Sequence, residues 1–174
     1  MYSLTELAKQ LSQPSKPFAQ WQPSHCGELP ITINTQGEWF YAGSVISREA
    51  MVKLFASVLC KEDDTFYLKT PVEKIAISVA DAPFIITEWY FQPTQQGQAL
   101  CCIDNLQRVW VVTEQQPLLL YNYQQQLIPY IILPNGLSAR VARNVYYQWA
   151  EIAQADQQGY FIVSASQRYY ISKT

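Results

Sequence analysis

The chain has 174 residues, 49% of them apolar and 15% charged, which is ample material for a buried core in one domain or two small ones and excludes a disordered chain. A formal net charge of −2 and a pI near 5.4, with no run of lysine or arginine, argue against duplex nucleic acid and anionic membrane as partners, because both require clustered cations. No stretch reaches the roughly 20 apolar residues of a membrane span. The opening MYSLTELAKQ lacks the basic and apolar regions of a leader, so a cytoplasmic protein is expected.

In chain order, SLTELAKQLSQ sets Ser3 and Glu6 at capping-box spacing and puts Leu4, Leu7, Ala8 and Leu11 on one face, which predicts a short amphipathic helix. A polar, proline-containing linker follows, QPSKPFAQWQPSH, with Phe18 and Trp21 as its expected anchors. ELPITINTQGEWFYAGSVIS reads as a strand, a turn at Gln36-Gly37 and a second strand through Trp39 and Tyr41. Ser47 is the expected cap of a helix over residues 48–60, carrying Met51, Leu54, Phe55, Val58 and Leu59. Arg48 is the oddity there, since a helix N-terminus carries partial positive charge and favours an anion. The acidic KEDD that follows reads as a solvated turn and not a metal site.

Beyond it the chain is nearly all strand. TFYLKTP, VEKIAISV, FIITEWYFQ, ALCCID, RVWVVT, LLLYNY and LIPYIIL are separated by short polar breaks such as PTQQGQ, EQQP and QQQ, which predicts an antiparallel meander. One more helix is expected after PNG, with Val145, Trp149 and Ile152 on one stripe and Tyr146, Ala150 and Ala153 beside it, and YFIVSA and RYYIS close the chain as strands. An internal similarity runs through these segments. At a constant offset of 95 positions Arg48 falls on Arg143, helix on helix, and Phe66 on Phe161. The expected fold is α+β in two units with repeated helix-plus-antiparallel-strand motifs: residues 1–26 as helix and linker, 27–79 as the N-terminal unit and 80–174 as the C-terminal unit.

Catalytic chemistry finds little support. His25 is the only histidine, its neighbour Cys26 points the other way in an extended chain, and no glycine-rich turn accompanies them. The other cysteines, Cys60, Cys101 and Cys102, show no paired CxxC spacing and read as reduced structural thiols. The six glycines form no phosphate-binding pattern, and no cofactor or metal is expected. LKTPVEK holds Lys69, Thr70 and Glu73, and Glu73 is the carboxylate expected to pair with Arg48 as a tie between helix start and strand. Arg140 has no carboxylate in LSARVAR and is the better candidate for contacting an acidic ligand, while Arg143 reads either as a similar structural tie in the second unit or as a ligand contact beside it. The strand and helix aromatics, Trp39, Tyr41 and Tyr147 among them, read first as core and second as the wall of a cleft.

GEWFYAGSVISREAMVKLFASVLCKEDDTFYLKTPVEK and NGLSARVARNVYYQWAE carry the combined pattern G-x-W, I-x-R, L-x-T-P-x-E and G-L-x-A-R-x-x-R. By these motifs residues 27–171 resemble the bacterial family called domain of unknown function 1285. The resemblance implies a two-part α+β protein with duplicated motifs, a C-terminal part superficially similar to pleckstrin-homology-like folds, and a binding site where the parts meet. Trp39, Tyr41, Arg48, Lys69, Thr70 and Glu73, with Arg140, Arg143 and Tyr147, are the candidate site residues. The expected function is a non-enzymatic ligand-binding or signalling module for a small anionic metabolite or peptide. The alternative is a protein–protein adaptor that uses the C-terminal sheet.

Overall fold

The structure is a computed structural model and describes residues 3–11 and 18–174; residues 12–17, the end of the expected helical segment and the first part of the expected linker, lie outside the described residues. The chain divides into two compact units, Met1–Pro83 with Asn135–Leu137, and Phe84–Pro134 with Ser138–Thr174. Mixed helix and sheet make the fold α+β, with sheet predominating. Among the described residues no helix is long and apolar enough to cross a membrane.

In the N-terminal unit, helix α1 (Leu4–Leu11) starts on the expected capping box: the Ser3 amide donates to Glu6 Oε2 at 2.9 Å and the Glu6 amide to Ser3 Oγ at 3.2 Å. The Ser3 amide, foremost, and the Ser3 hydroxyl, which also donates to Glu6 Oε2, hold the Glu6 carboxyl below its usual range. Trp21 is buried and meets Phe18 at 5.5 Å between ring centroids, so these two residues do anchor the irregular segment. Strands β1 (His25–Ile33), β2 (Trp39–Tyr41), β3 (Ser44–Val45), β4 (Leu59–Glu62), β5 (Thr65–Lys69) and β6 (Glu73–Val79) form one sheet in the order β3-β2-β1-β6-β5-β4. Alternation decides its faces. Leu29, Ile31 and Ile33 of β1 and Ile75 and Ile77 of β6 are buried with helix α2 (Glu49–Ser57), whose Val52, Phe55 and Ala56 follow the helical period.

Helix α2 is shorter than the expected 48–60. Leu59 and Cys60 pair with Leu68 and Tyr67 in the β4–β5 hairpin, so strand pairing takes residues whose apolar spacing also fits a helix. The capping position belongs to Arg48 instead of Ser47, and Arg48 makes no side-chain cap bond.

The C-terminal unit contains strands β7 (Phe84–Thr94), β8 (Gly97–Asp104), β9 (Val109–Val111), β10 (Leu118–Tyr123), β11 (Gln126–Ile132) and β12 (Ser138–Val141) in the order β10-β11-β12-β7-β8-β9. Helix α3 (Arg143–Ile152) leads into a three-stranded sheet, β13 (Gln154–Asp156), β14 (Gly159–Ser164) and β15 (Gln167–Lys173). Pairing is antiparallel throughout except for one parallel pair in each six-stranded sheet, β1 with β6 and β12 with β7. That corrects the expectation of a purely antiparallel meander. Short polar breaks report hairpins faithfully but say nothing of pairings between strands distant in sequence, and β12 is four residues of LSARVAR that carry no strong strand signal.

Two buried polar groups organise the C-terminal unit. Asp104, fully buried, accepts from the Leu106 and Arg108 amides at 2.8 and 3.1 Å, from Arg108 Nε at 2.8 Å and from Trp110 Nε1 at 2.9 Å, and the Arg108 guanidinium lies 4.0 Å over the Phe84 ring. Ser164 Oγ accepts from the Leu100 amide at 2.8 Å and donates to the Val112 carbonyl at 2.6 Å, which ties β14 to β8 and to the residue that follows β9. Replacing Ser164 by alanine leaves a buried amide and a buried carbonyl unpaired, and the expected loss is on the order of 2 kcal/mol in urea denaturation. A loss below about 0.5 kcal/mol, the range of neutral surface changes, shows that the hydroxyl is not what joins these strands.

Candidate functional site

Thr70 and Glu73 are the expected site residues that the fold brings most closely together. The buried Thr70 hydroxyl accepts from the Glu73 amide at 3.0 Å and donates to the Glu73 carbonyl at 3.1 Å, while the Thr70 amide donates to the same carbonyl at 2.8 Å. This turn launches β6 with Glu73 only 5% exposed on the core-side face. Glu73 Oε1 is buried and has no hydrogen-bond partner among the described residues. A Cβ at Gly27 would stand 3.3 Å from Glu73 Oε2, so β1 passes this carboxylate closely because it has a glycine there.

Arg48 does not supply the missing partner. It is exposed, no ion pair joins it to Glu73 among the described residues, and the anion that the start of α2 favours is Glu49, which also pairs with Lys53 at 2.6 Å. The expected Arg48–Glu73 tie is therefore corrected: Arg48 precedes the helix instead of sitting in its first turn. Lys69 and Lys74 are cross-strand partners on the opposite face of the sheet, where both pair with Glu62, Lys69 at 3.9 Å. The Lys74 hydrogen bond, foremost, holds the Glu62 carboxyl below its usual range. Trp39 is core, 6.3 Å from Phe55 between centroids, and Tyr41 is half-buried at the end of β2.

In the C-terminal unit, Arg140 stacks over the Tyr123 ring at 4.2 Å, Arg143 is exposed as the first residue of α3, and Tyr147, 59% exposed, meets Tyr146 at 6.1 Å. None of these candidate residues lines the hollow that the C-terminal unit contains beside its β7–β8 hairpin.

That hollow is a groove of about 420 Å³ between the end of the β7–β8 hairpin, the last turn of α3, and β14. Phe91 and Phe161 supply ring surface, and Gln96, Gln98, Gln154 and Ser166 supply polar groups. Its frame is fixed by hydrogen bonds. Thr94 Oγ donates to the Gly97 carbonyl at 2.6 Å, the Ala165 amide donates to the Gln98 carbonyl at 2.8 Å, and Ser166 Oγ donates to the Gln96 carbonyl. Gly97 takes φ 97°, which only glycine adopts readily, and lets the hairpin turn beside Ser166. Behind the groove, Trp89 Nε1 donates to Gln148 Oε1 at 2.7 Å, and the Trp89 ring stands edge-on to Phe91 at 5.6 Å and to Trp149 at 6.5 Å. Ile152 was expected on the same stripe as Val145 and Trp149; those two are fully buried, whereas Ile152 is 46% exposed at the groove. None of the groove's polar residues was a sequence candidate, because PTQQGQ reads only as a polar break. The one signal was the placement of Ile152 at the end of an otherwise buried stripe.

Among the described residues no group of three or more histidine, cysteine or acidic residues is placed to hold a metal ion. All four cysteines are free. Cys26 is exposed; burial pushes the Cys60 and Cys102 thiols above their usual range, Cys102 furthest.

The two units correspond to two family models, "Domain of unknown function (DUF1285), N-terminal domain" over residues 16–82 and "Protein of unknown function (DUF1285), C-terminal domain" over residues 83–171. The chain belongs to the DUF1285 family. It is similar to the crystal structure of a DUF1285 family protein from Silicibacter pomeroyi DSS-3, with 29% identity and a TM-score of 0.88 over 98% of this chain and 95% of that one. A second crystal structure, of a DUF1285 family protein from Shewanella baltica OS155, is similar at 30% identity and a TM-score of 0.57 over 71% of this chain and 91% of that one. Comparison with curated proteins finds no match.

Two outcomes follow from the geometry. In a double-mutant cycle, Arg48→Ala and Glu73→Gln are additive within about 0.5 kcal/mol, and coupling above about 1 kcal/mol would restore the tie between them. In the native protein a thiol reagent labels Cys26 rapidly and Cys60, Cys101 and Cys102 only on unfolding; rapid labelling of a second thiol contradicts the burial described above.

Proposed function

We propose that the protein is a non-enzymatic ligand-binding module of regulatory or signalling type, and that its ligand is a small molecule or peptide segment seated in the groove of the C-terminal unit. The groove carries this reading. Its volume of about 420 Å³ falls within the range of small-molecule sites, roughly 300–1,000 Å³, and its wall combines aromatic surface with a few polar side chains on a hydrogen-bonded frame. An anionic metabolite held by Arg140 and Arg143 remains a form of the same proposal, but the groove lining offers it no cation.

A second reading, an adaptor, is favoured by a different surface. Leu119 and Tyr121 on the edge strand β10 and Leu127 on β11 are all exposed, which is the apolar edge a captured strand or helix would cover. We also read α2 with β4–β6 and α3 with β13–β15 as two copies of one motif, supported by the 95-residue offset that sets Phe66 of β5 on Phe161 of β14. The likeness of the C-terminal unit to pleckstrin-homology-like folds belongs to the same proposal and suits either function.

A thermal-shift screen of the whole chain against sugars, nucleotides, organic acids, phosphorylated metabolites and short peptides tests the first reading. At 100 times its dissociation constant a ligand adds about 2.7 kcal/mol of stability. The expected result is a hit whose stabilisation Phe91→Ala abolishes and Tyr121→Ser leaves intact. A hit insensitive to Phe91, or none, sinks the groove, and sensitivity to Tyr121 alone moves the assignment to the adaptor.

A further inference from the structure

None of the ten residues that line the groove is charged. We propose that the ligand of this groove is a neutral saccharide, an inference that rests on the groove being the ligand site and adds the chemical class. Each glutamine amide offers two N–H donors and a carbonyl acceptor in one plane, which answers the paired donor and acceptor character of adjacent hydroxyls on a sugar ring. Carboxylates and phosphates present acceptors only and are best met by charged donors, which this wall lacks.

The amides are available for such contacts. Gln96, Gln98 and Gln154 make no side-chain hydrogen bond to protein among the described residues, although the backbone carbonyls of Gln96 and Gln98 are both engaged. The cation stacked on a groove residue is already compensated: Arg168 lies over the Phe161 ring at 4.7 Å and pairs with Asp156 at 3.1 Å, and neither Arg168 nor Asp156 lines the groove. Fixed backbone with free amides is a preorganised arrangement, in which binding orders only the side-chain ends.

Ring surface for the C–H face of a sugar comes from Phe91. Phe161 is only 3% exposed and shares its ring with Arg168, whereas Phe91 is 37% exposed and is held from the side by Trp89 in an edge-on contact with rings at 85°. The exposed Ile152 extends this apolar floor. A hydrogen-bonding wall beside an open aromatic platform is a combination that suits an amphipathic ring with hydroxyls at its rim and C–H groups on its face.

The test is a titration of the whole chain, followed by backbone-amide and indole resonances, with maltotriose, cellotriose, xylotriose and chitotriose at millimolar concentration, and with glucose 6-phosphate and a capped neutral tripeptide as comparison probes. The expected result is that at least one trisaccharide shifts the resonances of Gln96, Gly97 and Gln98 and the Trp89 indole, that Phe91→Ala and Gln154→Ala each weaken it at least tenfold, and that Phe91→Trp retains it. Gln154→Ala serves where Phe91→Ala disturbs the packing of Trp89. Shifts at these residues from glucose 6-phosphate or the tripeptide, with none from the trisaccharides, overturn the saccharide and leave the groove as the ligand site. Silence from all six probes, together with no Phe91-sensitive hit in the thermal-shift screen, overturns both.

Discussion

The Ser164 hydroxyl is the constraint on which the C-terminal unit most depends. It sits in the core, accepts from the Leu100 amide and donates to the Val112 carbonyl, so β14 is joined to the larger sheet by directional bonds as well as by apolar contact. Apolar packing alone tolerates sliding by a fraction of a residue, whereas a buried hydroxyl with two backbone partners fixes one register, because each alternative leaves polar groups unpaired. One residue further on, the Ala165 amide reaches the Gln98 carbonyl, and then Ser166 reaches Gln96. The groove wall is thus a continuation of a core interaction out to the surface.

The N-terminal unit solves a different problem with a similar device. Thr70 spends its hydroxyl and its amide on Glu73, so the backbone at the start of β6 is set before its side chain finds any partner. A carboxylate with one unpartnered buried oxygen costs stability. The turn that holds it there is local, closed by three hydrogen bonds between Thr70 and Glu73. Arg48, which sequence spacing offers as the compensating cation, is one helix and two strands away in connectivity and ends in solvent, where an exposed arginine outside the first helical turn meets little penalty from the helix dipole. Glu49, one residue on, already supplies the favourable charge.

Local signals were the legible ones. The capping box of Ser3 and Glu6, the alternation through Leu29, Ile31 and Ile33, and the buried stripe of Val145 and Trp149 depend on neighbours within one or two turns, and the structure contains all three. The two parallel pairings were not legible, since they join β1 to β6 and β12 to β7 across long intervals and residue types alone do not specify such a partner. The end of α2 was misread for the same reason: Leu59 and Cys60 fit a helical stripe, and only the β4–β5 hairpin shows that they belong to a strand. Of the candidate site residues, Thr70 and Glu73 were found through a motif compact enough to close on itself. The groove residues were missed because glutamine in a turn has no distinguishing spacing.

Glutamines cluster in several turns of this chain, and by composition they are alike, but their backbones are not. Gln124 and Gln125 form an exposed hairpin turn at φ 50° and 66°, held only from within its own hairpin: the Gln125 amide donates to Asn122 Oδ1 at 3.1 Å and Gln124 Nε2 to the Tyr123 hydroxyl at 3.3 Å. Gln96 and Gln98 flank Gly97 in a turn whose carbonyls are held by Ala165 and Ser166, beside Phe91 and across from Gln154. A turn tied only to its own hairpin leaves more backbone freedom to be lost on binding than a turn tied to a second sheet, whose backbone folding has already ordered. On the proposed function, the same residue type is an exposed polar group in one hairpin and a ligand-contacting group in the other. What separates them is the Ser164-centred tie, formed by residues more than sixty positions away in sequence.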